Sequence, residues 1–440
     1  MIAKIALRNT IKNWRPSISA LLSLSAAFVS LVLFDGYIAD IQKMYMDNFK
    51  HRQMLGDLII ENTDQNKQSP KWFAEPSQFW LTLADQNFIT QEIGKPEVSA
   101  EVSVKNLQFQ GMVTNGQQTQ IFIGRGYDII AGEKMREKNW SWNVTFGQPL
   151  DRLDDVFAVA LGQGLSKKLN CQWVKNSKTL TFYGGYQQIE NPFECMTKDL
   201  QISATTVSSQ LNAIDINAVA LLDAGYKDVD DRYIQTSLVA AQTLLNTDKV
   251  SFISVSLNKS KNIDQVVQVL NKHFLNQKKQ LIAQKWQNHR LGEMYQKTME
   301  FLNIFRNFVL VVIVIVSTLS VLNTMIKLIK ERTREIGALR SMGFLNRQIV
   351  FMFLLESFYL SMMGSGIGIF VSLVLTLSLN SAGILYKAGL LSESVAFRIA
   401  FFPQAYVIAF TLLAGLSVCA AYFATRQIVR SQIVDNLHYA

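Results

Sequence analysis

The sequence predicts an α-helical membrane protein with four transmembrane helices and a large mixed α+β extracytoplasmic domain between helices 1 and 2. The first observation is four long apolar stretches without a charged residue, at residues 17–34, 308–326, 357–386 and 399–425. Each meets the requirement of roughly 20 apolar residues for a helix that crosses a membrane. The second observation is the soluble composition of the interval between Asp35 and Asn307. A buried helix of a soluble protein imitates one apolar stretch, but not four.

The apolar stretches and their flanks divide the chain into nine parts. The predicted parts are a cytoplasmic amphipathic helix (1–16), transmembrane helix 1 (17–39), an extracytoplasmic, periplasmic α+β domain with stalk helices (40–303), transmembrane helix 2 (304–329), a cytoplasmic coupling helix and loop (330–349), transmembrane helix 3 (350–379), a short outer loop (380–398), transmembrane helix 4 (399–425) and a cytoplasmic tail (426–440).

The first apolar stretch has an alternative interpretation as a cleaved signal peptide, because basic residues precede it. The basic region is long, no A-x-A cleavage site follows, and Asp35 to Lys50 continues the helical pattern. Apolar residues at helical spacing before Pro16 suit a helix that lies in the membrane interface. We therefore expect a retained anchor.

The lysines and arginines of the short loops predict the orientation. Four basic and no acidic residues lie in the first sixteen positions, and six basic residues lie between Lys327 and Arg347. The loop between helices 3 and 4 has only Lys387 and Arg398. Both termini and the loop at 330–349 are therefore expected in the cytoplasm.

The composition excludes several functional classes. The net charge of +9 comes from basic residues near the membrane flanks, which argues against a nucleic-acid interface. The four histidines lie far apart without ligand spacing, so no metal site is expected. Three cysteines are too few for a disulfide scaffold. Cys171 and Cys195 lie on the oxidising side, where a disulfide between them is possible, and Cys419 lies in the fourth apolar stretch.

The extracytoplasmic interval contains both strand and helix patterns. Apolar runs at 57–61, 120–124, 179–182 and 250–257 predict strands. Helical periodicity is present around 155–169, 228–245 and 263–274, and the segments 40–52 and 287–303 predict helices that enter and leave the domain. We find no nucleophile–His–acid set or supported carboxylate pair, so the domain is not expected to be an enzyme.

The loop at 330–349 carries the most informative pattern. It predicts a short amphipathic helix with an Arg332–Glu335 pair and with Gly343 at its C-terminal cap. The charged residues of this segment, taken alone, are equally typical of a solvated cytoplasmic loop. Ile336, Leu339 and Met342 are apolar residues open to the cytosol unless something covers them, which favours a docking surface.

The pattern E-R-x-R-E-I-G-x-L-R-x-x-G over residues 331–343 resembles the FtsX/MacB-like permeases of ABC transporters, the mechanotransmission or type VII group. Further matches are Arg347, Glu356 and Gly364-Ser-Gly-Ile-Gly368. The others, in chain order, are Leu7-Arg8-Asn9, Leu161-Gly-Gln-Gly-Leu-Ser-Lys-Lys-Leu169 and Ile433-Val-Asp-Asn-Leu437.

This resemblance implies a non-catalytic permease whose loop docks in a groove of an ATPase. The residues that it assigns to the contact are Arg332, Glu335, Ile336, Leu339, Arg340, Met342 and Gly343, with Glu356 as a carboxylate at the membrane interface. It also implies two copies of an ABC ATPase, a second permease chain (identical or paralogous) and a periplasmic carrier or adaptor as a further option.

ATP chemistry is expected in the partner. The sequence contains no G-x-x-x-x-G-K-[ST] pattern, and Gly162-Gln-Gly-Leu-Ser-Lys167 departs from its spacing. We therefore expect no cofactor in this chain and ATP with Mg²⁺ in the ATPase. The lipoprotein-release permeases keep the ATPase on a separate chain and have an outer domain of comparable size, but they tend to carry a variant of the Glu335-Ile-Gly motif.

Three functions stay open from the sequence. The first is export or extraction of a hydrophobic cargo such as a lipoprotein or lipid. The second is efflux of a drug or toxin with a periplasmic adaptor. The third is transmembrane signalling to an envelope enzyme without transport, for which the large outer domain is atypical. Polar residues of the second helix, among them Ser320 and Thr324, favour helix–helix packing over a substrate path.

Overall fold

The computed structural model describes residues 6–10, 14–63, 76–136, 145–173, 179–181, 187–189, 193–224, 227–386 and 395–429. The predictions for residues 1–5, 11–13 and 430–440, which include the 433–437 match, lie outside these ranges. The chain divides into a membrane unit (1–43, 298–385 and 396–440) and a second unit (44–297 and 386–395), which is named the extracytoplasmic unit after its predicted location. Each unit is described separately below.

The helices alternate with strands in the middle of the chain. Beside a helical segment at 6–10, the helices are α1 (Trp14–Asp47), α2 (Leu83–Ile93), α3 (Ile129–Met135), α4 (Gln163–Lys168), α5 (Lys227–Asp230), α6 (Leu238–Leu245), α7 (Ile263–Asn276), α8 (Glu293–Glu331), α9 (Thr333–Ser341), α10 (Asn346–Ala382) and α11 (Pro403–Val429).

The strands lie almost entirely in the extracytoplasmic unit. They are β1 (Leu58–Asn62), β2 (Ala100–Thr114), β3 (Thr119–Tyr127), β4 (Thr145–Gly147), β5 (Ala158–Gly162), β6 (Cys171–Trp173), β7 (Thr179–Thr181), β8 (Gln187–Ile189), β9 (Phe193–Cys195), β10 (Asp199–Thr205), β11 (Leu211–Leu222), β12 (Tyr233–Ser237), β13 (Phe252–Leu257), β14 (Leu281–Lys285), β15 (Leu385–Tyr386) and β16 (Val395–Ala396).

Four helices of the described chain are long and apolar enough to cross a membrane. They are contained in Ser17–Arg52, Arg290–Glu331, Asn346–Ala382 and Pro403–Arg426. The predicted fold class, four apolar helices with a mixed α/β domain after the first, is confirmed. The last helix begins at Pro403 rather than at 399, because proline is favoured at the first helical position. Ile399 instead exchanges two hydrogen bonds with the Asn380 side chain, of 2.9 and 3.0 Å.

Glycines of α10 allow close packing against α1 in the membrane unit. A Cβ on Gly364 would lie 2.9 Å from the Leu24 Cβ, and one on Gly368 would lie 2.8 Å from the Phe28 Cβ. Gly366 has nothing within 4 Å of that position. Two members of the Gly364–Gly368 cluster therefore form a helix contact, because small residues let helix backbones approach in a membrane.

Hydroxyl groups join α1 to α8. The Ser320 Oγ donates to the Ser23 Oγ at 2.6 Å, and the Ser19 and Thr324 hydroxyl oxygens lie 3.3 Å apart. The predicted packing role of Ser320 and Thr324 agrees with these contacts.

The extracytoplasmic unit is built on a ten-stranded mixed sheet with the order β10-β11-β5-β12-β3-β2-β13-β1-β14, and β4 pairs with β11. The pairs β11–β5 and β12–β3 are parallel, and the other pairs are antiparallel. Because β10 also pairs with β2, the six strands from β10 to β2 form a closed part of the sheet. This curvature separates an inner from an outer face of the sheet.

Two helices predicted from periodicity are wrong over part of their length. Residues 155–169 form β5 and the short α4, and residues 228–245 form α5, β12 and α6. All five residues of β5 are buried. A strand buried on both faces has a continuous apolar run, which periodicity does not separate from a buried helix. The helix predicted around 263–274 agrees with α7.

Cys171 and Cys195 form a disulfide that joins β6 to β9. The two residues are direct partners in an antiparallel pair, so the register of these strands brings the sulfur atoms together. Closing a loop of this length contributes about 3 kcal/mol on the chain-entropy model.

Candidate functional site

The loop between α8 and α10 folds into the short helix α9. Arg332 interrupts the helical conformation between α8 and α9, because its φ is −105° and its ψ is 13°. After α9, Gly343 takes a φ of +92°, a conformation that strains L side chains. The Gly343 and Phe344 N–H groups donate to the Arg340 and Leu339 carbonyls, both at 3.1 Å. The glycine of the sequence motif therefore ends α9 and turns the chain into α10.

A buried ion pair holds the start of α9. The Arg332 Nη1 donates to both carboxylate oxygens of Glu356, at 3.0 and 2.9 Å, and its Nε donates to Glu335 at 2.8 Å. The side chains of Arg332 and Glu356 are 11% and 9% exposed. The Arg332 guanidinium also lies 5.3 Å from the Phe353 ring centroid. A pair with this geometry satisfies both charges away from water.

Asn9 completes the cluster from the N-terminal segment. Its Nδ2 donates to the Glu356 Oε1 at 2.9 Å. Three parts of the chain that are far apart in sequence therefore meet at one carboxylate. In the sequence, Asn9 is only one residue of a matching triplet, and no pattern singles out Phe353.

The seven predicted contact residues do not share one surface. Ile336 is 1% exposed and belongs to the core of the membrane unit, so the chain itself covers this side chain. Leu339 packs against the same core, and Arg332 is directed to Glu356. These three residues fix α9 in place. They are positioning residues and not an open surface.

The remaining predicted residues lie on the outer face of α9 and in the turn that follows it. Glu335, Met342 and Gly343 are exposed, and Arg340 is half-buried. Leu345, which no sequence pattern singles out, is 66% exposed, and Met342 is 68% exposed. Exposed apolar residues next to charges are typical of a surface that binds a protein partner.

The second matching motif, Leu161 to Leu169, is occupied by a carboxylate of the same chain. The backbone N–H groups of Gln163 and Gly164 donate to Asp230 at 3.1 and 3.0 Å, and that of Ala224 donates at 3.1 Å. Burial, joined by the nearby Asp223, raises the pKa of Asp230 to about 6, against these three backbone hydrogen bonds. The motif therefore anchors α4 to α5 and does not form a phosphate-binding loop.

These features define a class of protein: a four-helix integral membrane protein with a large inserted domain and a short anchored helix between helices 2 and 3. Residues 307–433 match the family model described as FtsX-like permease C-terminal. Over these residues the chain is thus similar to the FtsX/MacB-like permeases.

Part of the chain is also similar to curated proteins. The chain is 27% identical over 152 residues to a macrolide export ATP-binding/permease protein MacB of Shigella boydii, which covers 34% of this chain and 22% of the relative. A MacB 1 protein of Yersinia pestis is 28% identical over 144 residues, with coverage of 32% and 20%. The aligned region thus spans about a fifth of the relatives' length.

Two solved structures have a low similarity to this chain. The periplasmic region of MacB from Actinobacillus actinomycetemcomitans has a TM-score of 0.31 at 12% identity, covering 56% of this chain and 92% of that one. The extracellular domain of the transporter YknZ from Gram-positive bacteria has a TM-score of 0.30 at 12% identity, covering 52% and 99%.

Proposed function

We propose that this chain is the non-catalytic permease subunit of an ABC transporter whose ATPase is a separate chain that binds α9. The observation that carries the proposal is the structure of α9, which the chain fixes on one face through Ile336 and Arg332 and leaves open on the other at Met342. The helix also lies inside the matched family region. The basic residues around it favour the cytoplasmic side of a bacterial inner membrane.

The anchoring of α9 suits the transmission of force. A partner that moves α9 acts through Arg332 on Glu356 of α10 and, through Asn9, on the N-terminal segment. Since both members of the pair are nearly buried, separating them is costly. ATP and Mg²⁺, held by two ATPase copies, would supply the energy, and the residues of this chain would receive the motion.

The long helices carry that motion further in this proposal. The helix α8 runs without a break for 39 residues, and a continuous helix is stiff along its axis. We infer that a pair of permease chains, identical or paralogous, moves its extracytoplasmic domains to export or extract a hydrophobic cargo such as a lipoprotein or lipid, with a periplasmic carrier or adaptor as a further partner.

Efflux of a drug or toxin with a periplasmic adaptor is the second candidate. One observation favours it, since the Shigella and Yersinia relatives are named macrolide export proteins. The shared membrane architecture serves either cargo, and α9 has the same role in both.

A labelling experiment tests the side of the membrane. Ser341→Cys places a thiol on the exposed end of α9, and Thr205→Cys places one on the exposed end of β10, both in a chain that carries Cys419→Ala. We expect a membrane-impermeant maleimide to label position 341 only in inverted vesicles and position 205 only in right-side-out vesicles or cells. Labelling of position 341 from outside would refute the proposal.

A matched pair of substitutions tests ATPase docking. Met342→Glu puts a charge on the exposed face of α9, and the control Leu211→Glu changes a residue of the extracytoplasmic unit that is 74% exposed. The tagged chain is purified from its native membranes, reconstituted in liposomes and assayed for bound nucleotide-hydrolysing subunit and ATP hydrolysis. We expect Met342→Glu to lower both at least about tenfold, because an unpaired charge in an interface costs more than 1.4 kcal/mol. Wild-type values in Met342→Glu, or an equal loss in Leu211→Glu, would contradict the assignment.

A further inference from the structure

The extracytoplasmic unit contains a cavity of about 520 Å³ on one face of its sheet. Its walls come from β3, β5, β11 and β12 and from the segment where the chain enters the unit, at Phe49 to Leu55. The volume falls within the range of about 300–1,000 Å³ that is typical of small-molecule sites. Ile123, Val229 and Met294 line it and are each 40–48% exposed, so the cavity is open to solvent beside them.

A pair of alanines creates the space. Ala160 of β5 and Ala220 of β11 are direct neighbours in the parallel register, and both line the cavity while being buried. Leu222, Leu150 and Tyr127 complete an apolar wall. Larger side chains at the two alanines would fill the space, so the volume follows from the residues chosen there.

Three arginines lie in this apolar wall. Arg52 and Arg125 are each 5% exposed, and Arg136 is half-buried. Arg52 forms an ion pair with Asp223 at 3.1 Å. With Lys227 and Asp228, the lining has four basic and two acidic side chains. The cavity therefore has an excess of positive charge.

Arg125 is the cation whose partners are neutral. Its Nε and Nη2 donate to the Asn106 amide oxygen at 2.9 and 2.7 Å, and its Nη1 donates to the Gln53 carbonyl. No ion pair reaches Arg125 from any part of the chain that the structure describes. Burial accordingly lowers the pKa of Arg125. A buried cation without a counter-charge is unfavourable, and an anion in the cavity would relieve this cost.

Arg136 adds donors on the same side. Its Nη2 donates to the Tyr127 hydroxyl and to the Gln235 amide oxygen, both at 3.2 Å, and its guanidinium lies 5.5 Å from the Tyr127 ring centroid. These contacts fix a second guanidinium at the wall. Planar guanidinium groups bind carboxylate, phosphate and sulfate oxygens with paired hydrogen bonds.

We propose that this cavity binds an amphipathic anion, with its aliphatic part on the wall around Ala160 and Ala220 and its anionic head at Arg125 and Arg136. The class includes fatty acids from solution and anionic phospholipids from the bilayer. The proposal needs no nucleotide and no ATPase, so its outcome is independent of the proposed transport function.

Photolabelling of the full-length chain tests the site. The chain is reconstituted in phosphatidylcholine nanodiscs, exposed to a diazirine fatty acid and mapped by peptide mass spectrometry. We expect label on peptides that contain Ile123 to Tyr127 or Ala220 to Ala224. Excess decanoate should remove this label, whereas decyltrimethylammonium at the same concentration should leave it. Label confined to the membrane helices, or equal competition by the cation, would overturn the proposal without any variant.

Variants separate charge from volume. Arg125→Gln removes the cation, Arg125→Lys keeps it, and Ala220→Leu fills the cavity. The control Arg232→Gln removes an exposed arginine outside the lining. We expect about tenfold weaker competition by decanoate in Arg125→Gln, since a charge-assisted hydrogen bond contributes about that factor. Arg125→Lys should retain part of the binding, Ala220→Leu should lose the label, and Arg232→Gln should match the wild type.

Far-ultraviolet circular dichroism of each variant shows whether it folds. If folded Arg125→Gln and Ala220→Leu both label as the wild type does, the assignment of the cavity is wrong. Nanodiscs with phosphatidylglycerol distinguish the two sources of ligand. Loss of fatty-acid label there supports an anionic phospholipid, and unchanged label supports an anion from solution.

Discussion

The buried pair at the start of α9 gives the sharpest prediction from this structure. Arg332→Met removes the cation and leaves Glu356 with Asn9, and Glu356→Met removes the carboxylate and leaves Arg332 with the exposed Glu335. Breaking a buried pair costs about 3–5 kcal/mol. Because each residue keeps one other partner, we expect each single change to destabilise α9 by about 2–3 kcal/mol.

The double variant separates an ion pair from two independent residues. Methionines at positions 332 and 356 fill similar volumes without charge, so we expect the double change to cost no more than about 1 kcal/mol. The coupling energy between the two positions should then be at least about 3 kcal/mol in magnitude. Additive losses would mean that the pair contributes little.

Hydrogen exchange of α9 measures these values locally. The full-length chain in nanodiscs is followed by mass spectrometry on peptides that cover Thr333–Ser341, where about 1.4 kcal/mol of opening free energy is a tenfold change in protection. The control Arg347→Met removes an exposed arginine and should change the opening free energy by less than about 0.5 kcal/mol. Unchanged α9 protection in both single variants would refute the anchoring role.

Two further predictions follow from packing and from pH. Gly364→Val and Gly368→Val should each destabilise the membrane unit by about 1–3 kcal/mol, as measured by unfolding in detergent. Gly366→Val, whose side chain meets open space, should leave the stability nearly unchanged. Equal effects at all three positions would contradict the close contact with α1. The raised pKa of Asp230 lies above its unfolded value of 3.8, so its stabilising contribution is present below about pH 4 and is lost as the pH rises through 6. The stability of the wild type relative to Asp230→Asn should therefore fall by on the order of 2–3 kcal/mol between pH 4 and 7, as measured by urea unfolding at each pH, and a constant difference would refute it.

Features encoded by adjacent residues were predictable from the sequence. The four apolar stretches each specify a helix, because every turn of such a segment must satisfy its own backbone in lipid. The pattern from Glu331 to Gly343 likewise specifies a short helix and its end, since helix periodicity and a left-handed cap act within a few residues.

Local patterns were insufficient inside the extracytoplasmic unit. The buried strand β5 has an apolar run that a buried helix shares, and only its partners in the sheet, β11 and β12, distinguish the two. The same limitation applied to Ile336, which periodicity marks as apolar without showing that the chain itself covers it.

The sequence by itself determined the membrane class, the inserted domain and the motif that resembles FtsX-like permeases, because each depends on near neighbours in the chain. Only the tertiary structure decided that Asn9 and Arg332 meet at Glu356, and that Arg52, Arg125 and Arg136 surround one apolar cavity. Those arrangements join residues separated by up to 347 positions. Their proximity follows from long-range packing, which no single stretch of sequence encodes.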